Sequence, residues 1–505
     1  MISRRTLLRG GGGLALATAV IGAGSAAAPV WGAPATEWLR LRNRLQGSLV
    51  LPSDLGYDLA KQLQIASYDA VAPQGIVYCE TPGDVRTAIS FAQYNGLGLR
   101  TRSGGHNFSG WSTGDGLVVD TSRLNQAVAT GGTVHIGPGA KSVDALSALA
   151  PYGKQVVAGT CATVCPGGFI PGGGIGYQSR KFGLGSDRVV AQTIVLADGR
   201  TVRATAGNEP DLFWALNGGG GGNFGVVVDF EVRPIDAPTQ VYFSLTWDWS
   251  KAESLFAAWQ DSLVDGPDSF GSAFILALPD AAPGNTPTVL LTGCYQGPKA
   301  ELDAILDGFA GAVNAAPLTR VVAEGTYAQA QMEVYHCGEL TQDQCHRVGQ
   351  TPGATLPRTA YQQEAYRFVA ERQGAAGITD LVQAFDADRR AGQRRFLHCM
   401  GLGGQVSRVG RTDTAYVNRD ALYVLGYVAE LDKPNDQDGP AAAAWVDAGA
   451  TVLDRIASGA YVNFPSTRLE NWREAYYAEN YPRLVDVKRR YDRDNFFRHP
   501  RSIGA

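Results

Sequence analysis

The sequence predicts an α+β protein in two parts, and three observations predict it. Glycine is over-used, 63 of 505 residues, roughly 12% against a usual ~7%, and it clusters in loops in the first part of the chain. Short strand-like runs alternate there with amphipathic helices. From about Ile235 the glycine loops thin out, and helical and strand-like stretches alternate as an antiparallel sheet with helices against it. A chain of this length is too long for one ordinary core. Its 45% apolar fraction is that of a soluble globular protein. The formal net charge of −4 carries no electrostatic footprint for nucleic acid or an acidic membrane, so no nucleic-acid partner is expected.

Residues 1–35 read as an address. Ser3-Arg4-Arg5-Thr6-Leu7-Leu8 is a twin-arginine pattern, the apolar run Leu14 to Ala28 is too short to span a membrane, and Ala33-Pro34-Ala35 offers a small-x-small cleavage site. Export through the twin-arginine pathway is preferred over an uncleaved anchor. The expected location is extracellular, with no stable membrane insertion after cleavage. Next, Val85, Ala88, Ile89 and Ala92 fall at helical spacing, Gly96 stops that helix, and Leu97 to Arg102 reads as a strand. Leu117 to Asp120 is another short strand, and Val143, Leu146 and Leu149 return to helical spacing. Ile194 to Val202 is a hairpin turning at Asp198-Gly199. Val226, Val228, Phe230 and Val232 alternate as a half-buried strand.

In the second part the helical stretches are Ala252 to Val264, Lys299 to Ala310 and Ala441 to Ala457. The strand-like ones are Ala273 to Leu278, Val289 to Tyr295, Arg395 to Met400 and Ala421 to Val428. Gly338 to Thr359 is polar and reads as a surface loop. Seven cysteines is an odd number, so at least one stays outside intramolecular disulfides. Cys79, Cys294 and Cys399 read as buried small hydrophobes. For Cys337 and Cys345, a disulfide closing a short loop is preferred over zinc, whose C-x-x-C spacing is missing, and no metal site is assigned.

Three glycine loops fall within about 125 residues: Arg102 to Gly110, Pro166 to Gly176 and Gly218 to Gly225. One such loop would be an ordinary tight turn; three together favour a dinucleotide. No loop ends in Gly-Lys-Ser/Thr, so phosphoryl transfer is not expected. Gly220-x-Gly222-x-x-Gly225 has the Rossmann spacing, but a strand follows it instead of a helix. Two nucleophiles sit in this glycine, His106 in Arg102-Ser103-Gly104-Gly105-His106 and Cys161 in Gly159-Thr160-Cys161. An imidazole and a thiolate can each form a bond to an electrophilic cofactor, and glycines beside them let backbone N–H groups approach phosphate. The pair reads as a flavin held at two points.

The segments Arg102 to Gly110, Ala158 to Gly176, Asp211 to Val227 and Tyr461 to Phe497 resemble the berberine bridge enzyme-like flavoprotein oxidases, within the wider vanillyl-alcohol-oxidase or p-cresol methylhydroxylase FAD fold. The resemblance covers nearly all of the chain after the address, in the same order. It implies a two-part PCMH-type FAD-binding domain, residues 36–235 completed by 458–505, around a substrate-binding domain at 236–457. It implies a bicovalent FAD, linked through the 8α carbon to His106 and through C6 to Cys161. Cys165 stands where the family usually has glycine and is not assigned a bond. The motif positions implied to contact the cofactor are Arg102, Ser103, Gly104, Gly105, Asn107, Gly110, Gly159, Thr160, Val164, Gly168, Gly172, Gly173, Gly174, Gly176, Gly225, Val226, Asn463 and Asn495. Val164 matches a gatekeeper position where valine accompanies oxygen reactivity, which implies an oxidase with dioxygen as partner and peroxide as product.

Hydride transfer from an alcohol carbon also needs a base for the hydroxyl proton. Tyr461 matches the tyrosine of the family's Tyr-x-Asn motif, the base of its sugar- and anthracycline-oxidising members; packing on the cofactor is the alternative. The implied substrate is a small-molecule alcohol. Two departures limit the transfer. The glutamate base of the alkaloid-cyclising members falls at Gly426. The acidic partner that sugar oxidases give their tyrosine falls at Met400. His398, two residues earlier on the same strand face, is either a substitute partner or a satisfied strand histidine. Trp111 either lines the site or packs.

Overall fold

The computed structural model describes residues 32–236, 239–435 and 437–504; the twin-arginine pattern and its apolar run lie outside them. Four short strands open the chain: β1 (Ser48–Val50), β2 (Gly75–Tyr78), β3 (Leu99–Arg102) and β4 (Leu117–Asp120). They form a sheet of order β1-β2-β4-β3, with β4 parallel to both β2 and β3. The helix Pro82–Tyr94 is set by a capping box between Thr81 and Asp84. Its expected face, Val85, Ala88, Ile89 and Ala92, is fully buried. Gly96, at φ +63, ends it in the left-handed region that glycine enters without strain.

A second sheet, of order β5-β6-β10-β8-β9, contains β5 (Ala127–Thr130), β6 (Thr133–Ile136), β8 (Val189–Val195), β9 (Thr201–Ala204) and β10 (Val226–Val232). β7 (Lys154–Gln155) and β11 (Ile235–Asp236) form a two-residue antiparallel ladder. The β8–β9 hairpin turns at Asp198-Gly199 as its sequence predicts. β10 departs from simple alternation. Val227 is buried along with Val226 and Val228, because both faces of the strand are covered at its start, and only Asp229 and Glu231 look outward.

The third sheet has seven antiparallel strands: β12 (Gln240–Trp247), β13 (Phe270–Leu278), β14 (Thr288–Tyr295), β15 (Thr319–Gly325), β16 (Tyr361–Val369), β17 (Arg394–Gly401) and β18 (Tyr423–Leu431). Their order is β15-β12-β14-β13-β17-β18-β16. One face packs on helices through Phe256, Trp259, Phe385 and Trp445. The other face turns toward the glycine-rich part, and Tyr366, Met400 and Val424 share a core there with Ala162, Ile175 and Tyr461. The helix expected at Ala441 to Ala457 spans Asp438–Leu453 instead. Asn435 Oδ1 accepts from the Gln437 and Asp438 amides and starts it early. Ser458 N–H then pairs with the Phe368 carbonyl, which pulls the following chain out of helix to the edge of β16.

Gly338 to Thr359 is a largely exposed loop, as its polarity predicts, but it is tied down near its start. Cys337 and Cys345 form a disulfide, and Cys345, His346 and Arg347 are buried. The chain's last segment returns to the first part. Trp472, Tyr477 and Leu484 lie in one core with Leu212, Phe224 and Phe230, and the Tyr477 hydroxyl donates to the Gly219 carbonyl at 2.9 Å. Among the described residues no helix is long and apolar enough to cross a membrane.

Candidate active site

A cleft of ≈ 1460 Å³, open mouth included, lies between the glycine loops and the seven-stranded sheet. Ser103, Gly104, Gly105, His106 and Asn107 line it from the first loop, and Gly159, Thr160, Cys161, Val164 and Gly168 from the second. Gly220 to Gly222 line it from the third loop, Met400 from the sheet, and Tyr461 and Asn463 from the returning segment. Three loops far apart in sequence therefore present backbone to one space, as a dinucleotide requires.

Tyr461 is the best-defined group in this cleft. Its hydroxyl oxygen accepts from the Gly174 amide at 3.0 Å, the Ile175 amide at 3.3 Å and Asn463 Nδ2 at 3.0 Å. The Asn463 orientation follows from a second bond, Nδ2 to the Phe169 carbonyl at 2.9 Å. A carbonyl only accepts, so nitrogen faces it and the remaining N–H points at Tyr461. A phenol oxygen has two lone pairs, so three N–H donors fit a phenolate better than a phenol. Burial nevertheless outweighs these bonds and pushes Tyr461 up to about 12. Gly172 keeps this space open: a Cβ there would stand 2.0 Å from Asn463 Oδ1.

His106 has its two ring nitrogens in different situations. Nε2 lies 2.8 Å from Thr163 Oγ1, which leaves Nδ1 for a ligand. Burial, and next the Arg347 charge, hold the imidazole down to about 4, so it is neutral at ordinary pH. Cys161 is the one exposed free cysteine; Cys79, Cys165, Cys294 and Cys399 are buried. Desolvation by the cleft walls raises the Cys161 thiol above its ordinary value. Cys165 also reaches the cleft wall, but its thiol donates to the Gly139 carbonyl at 3.4 Å, and burial pushes it up to about 12.

Several motif residues stand elsewhere. His398 is not a partner of Tyr461. Its Nδ1 lies 3.1 Å from the Tyr366 hydroxyl, and desolvation lowers it to about 4. The reason is visible at Gly426, which pairs with both Tyr366 and His398 across the sheet. The Tyr366 ring lies over that glycine, where a Cβ would come within 2.4 Å of it. Arg102 points away from the cleft into a buried ion pair with Asp120. Gly110, Gly173, Gly174 and Gly176 shape loops without lining the cleft, and Gly174 acts through its amide on Tyr461. Gly225 and Val226 line a small adjoining cavity with Ser103 and Gly220 to Gly222. Asn495, at φ +49, shapes the turn before Phe497, which does line the cleft.

Sequence reasoning missed Phe108, Phe464 and His499. The Phe464 ring packs 4.4 Å from Tyr366 and 5.0 Å from Tyr461, with Phe108 5.7 Å away. Only the adjacency of Phe464 to the Tyr-x-Asn motif signals it. His499 stacks on Trp111 at 5.0 Å, and nothing in the sequence joins two residues so far apart.

The FAD binding domain family matches residues 73–205, and the "Berberine and berberine like" family matches residues 460–504. The (R)-6-hydroxynicotine oxidase of Paenarthrobacter nicotinovorans is 29% identical over 471 residues, 91% of this chain and 97% of that protein. The chitooligosaccharide oxidase of Gibberella zeae is 28% identical over 455 residues, covering 85% and 87%. The structure of BBE-like 1 from Physcomitrella patens shares the fold, with a TM-score of 0.82 at 24% identity over 92% of this chain and 98% of that one.

Proposed function

We propose that this chain, a berberine bridge enzyme-like FAD-linked oxidoreductase, is an exported oxidase that takes hydride from a secondary alcohol or hemiacetal of a carbohydrate or glycosylated natural product. Dioxygen is its second substrate and hydrogen peroxide its second product. The observation that carries this reading is the Tyr461 hydroxyl, met by three N–H donors on the wall of a cleft that also presents His106 and Cys161. Relatives named as oxidases support the choice of oxidase, and the twin-arginine pattern supports export.

The residues fit FAD. Glycine backbone from three loops lines the cleft, and two nucleophiles open onto it. His106, through Nδ1, and Cys161 would hold the flavin by covalent bonds at its 8α carbon and C6. Bound there, FAD supplies the hydride acceptor. Tyr461 takes the substrate's hydroxyl proton, which must leave as hydride departs. Deprotonated Tyr461 is stabilised by the Gly174 and Ile175 amides and by Asn463, since bonds to a charged oxygen are roughly twice as strong as neutral ones. Val164 beside Cys161 supports access for dioxygen.

The test is anaerobic stopped-flow absorbance against a panel of sugars and glycosides, followed by mixing with oxygenated buffer and a peroxide assay. The expected result is bleaching of the oxidised flavin by at least one alcohol, then fast reoxidation with one peroxide per flavin. Slow reoxidation by oxygen would make the protein a dehydrogenase. No bleaching across the panel would move the reading to a flavin-carrying binding protein.

A further inference from the structure

The strap between the Cys337–Cys345 disulfide and β16 crosses to the glycine-rich part, where its contacts follow one short segment. Arg347 Nη1 and Nη2 both reach the Gln62 carbonyl at 3.5 Å. Arg358 Nε donates to the Leu63 carbonyl at 2.8 Å, and its guanidinium grips Asp69 through bonds of 2.8 and 2.6 Å. The Ala66 and Ser67 amides donate to the Thr359 and Ala360 carbonyls at 2.8 and 2.9 Å. That same segment holds the histidine loop. The Gln64 amide donates to the carbonyl of Gly105, the residue before His106, at 3.0 Å, and the Ala60 carbonyl accepts from Arg102 Nη2 at 2.8 Å.

Arg347 is only 7% exposed, and its Nε is buried with no hydrogen-bond partner among the described residues. A buried cation so thinly bonded costs stability. Its charge is the largest influence on the His106 imidazole after burial. The cysteine loop is held by groups that Arg347 does not bond: Gln331 Nε2 donates to the Gly159 carbonyl at 3.2 Å, and the Ser142 amide and hydroxyl, on a helix whose Asp144 pairs with His346 and Gln342, donate to the Val164 carbonyl at 2.9 and 3.0 Å.

Resting on the two-point flavin linkage proposed above, we propose that the strap of residues 346–360, through Arg347, positions His106 for its bond to the flavin, while the Cys161 bond forms independently of Arg347. The histidine step joins Nδ1 to the 8-methyl carbon. The Nδ1 lone pair would form the bond, the methyl group would lose one hydrogen as a proton and the imidazole its Nε2 proton, and the two electrons released would pass through the flavin to dioxygen, which with the two protons becomes hydrogen peroxide. Arg347 is a positioning residue: it fixes the segment on which Gly105 hangs.

The test is flavin loading of Arg347→Gln, Arg347→Lys and Val348→Ala in a host fed a pulse of riboflavin. Samples taken over time are analysed by peptide mass mapping of the His106 and Cys161 peptides separately. A misplacement of about 1 Å can cost a reaction about 10²-fold, so His106 loading in Arg347→Gln should slow by about tenfold to a hundredfold, with Cys161 loading unchanged. Arg347→Lys should recover part of the rate, and Val348→Ala, at a side chain 53% exposed, should match the parent. Parent-like His106 loading in Arg347→Gln overturns the proposal, and so does equal loss of both adducts. A parent protein with no His106 adduct overturns the two-point linkage itself.

Discussion

Replacing Tyr461 by phenylalanine removes one oxygen and nothing else, and the structure says what that oxygen holds. It accepts from the Gly174 amide, the Ile175 amide and Asn463 Nδ2. Asn463 keeps its bond to the Phe169 carbonyl, so the two backbone donors lose most. Stranding a buried donor costs about 1–3 kcal/mol, so two of them should destabilise the protein by about 2–6 kcal/mol, less whatever a water recovers in the space left by the hydroxyl. The catalytic effect is separate. Loss of a positioned base lowers the rate by about 10²–10⁴-fold, with the flavin retained. The assay is the rate of anaerobic flavin reduction as a function of pH, with thermal denaturation run alongside. Because burial holds the Tyr461 proton up to about 12, the parent rate should rise with pH through the alkaline range, and the Phe variant should lose that rise. A variant with parental rate and parental pH slope refutes Tyr461 as the proton acceptor, whatever its stability.

Three further outcomes are expected. Gly172→Ala places a Cβ 2.0 Å from Asn463 Oδ1 and should displace that amide from Tyr461; a hydrogen bond to a charged oxygen is worth about 1.5–3 kcal/mol, so flavin reduction should slow by about tenfold or more, and Asn463→Ala should match it. Gly426→Ala drives a methyl group to within 2.4 Å of the Tyr366 ring; overpacking of this kind costs about 1–3 kcal/mol, read as a lower melting temperature, and an unchanged one would show that the ring moves freely. Burial lowers His398 to about 4 and His499 to about 3, below the unfolded value near 6.5. Their contribution to stability is therefore complete above about pH 6.5 and lost as pH falls toward 4. Melting temperatures across that range should fall, less steeply in His398→Gln, and an equal slope in that variant would contradict the assignment.

Local pattern carried much of the fold. The buried stripe of Pro82–Tyr94, the Asp-Gly hairpin and the strands around Phe270–Leu278 and Thr288–Tyr295 are set by side-chain periodicity and turn chemistry, which act within a few residues. The boundaries of Asp438–Leu453 were misplaced because its end is decided by a long-range bond, Ser458 to Phe368. The segment 338–359 is a largely exposed loop, as its polar side chains predict, but polarity does not say which of its polar groups find partners on another part of the chain. His398 is the sharpest case. Strand alternation places it on the face of Met400, but whether it meets Tyr461 depends on what fills the space above Gly426.

The sequence by itself determined that three glycine loops, one histidine and one cysteine exist as potential cofactor contacts, because glycine's backbone freedom and the nucleophilicity of imidazole and thiol are properties of single residues. Only the tertiary structure decided that they face one cleft, that Tyr461 receives N–H donors from Gly174, Ile175 and Asn463, and that His398 belongs to Tyr366. Those relations depend on distances between residues hundreds of positions apart, which packing of the sheet against the returning segment fixes and local sequence does not encode.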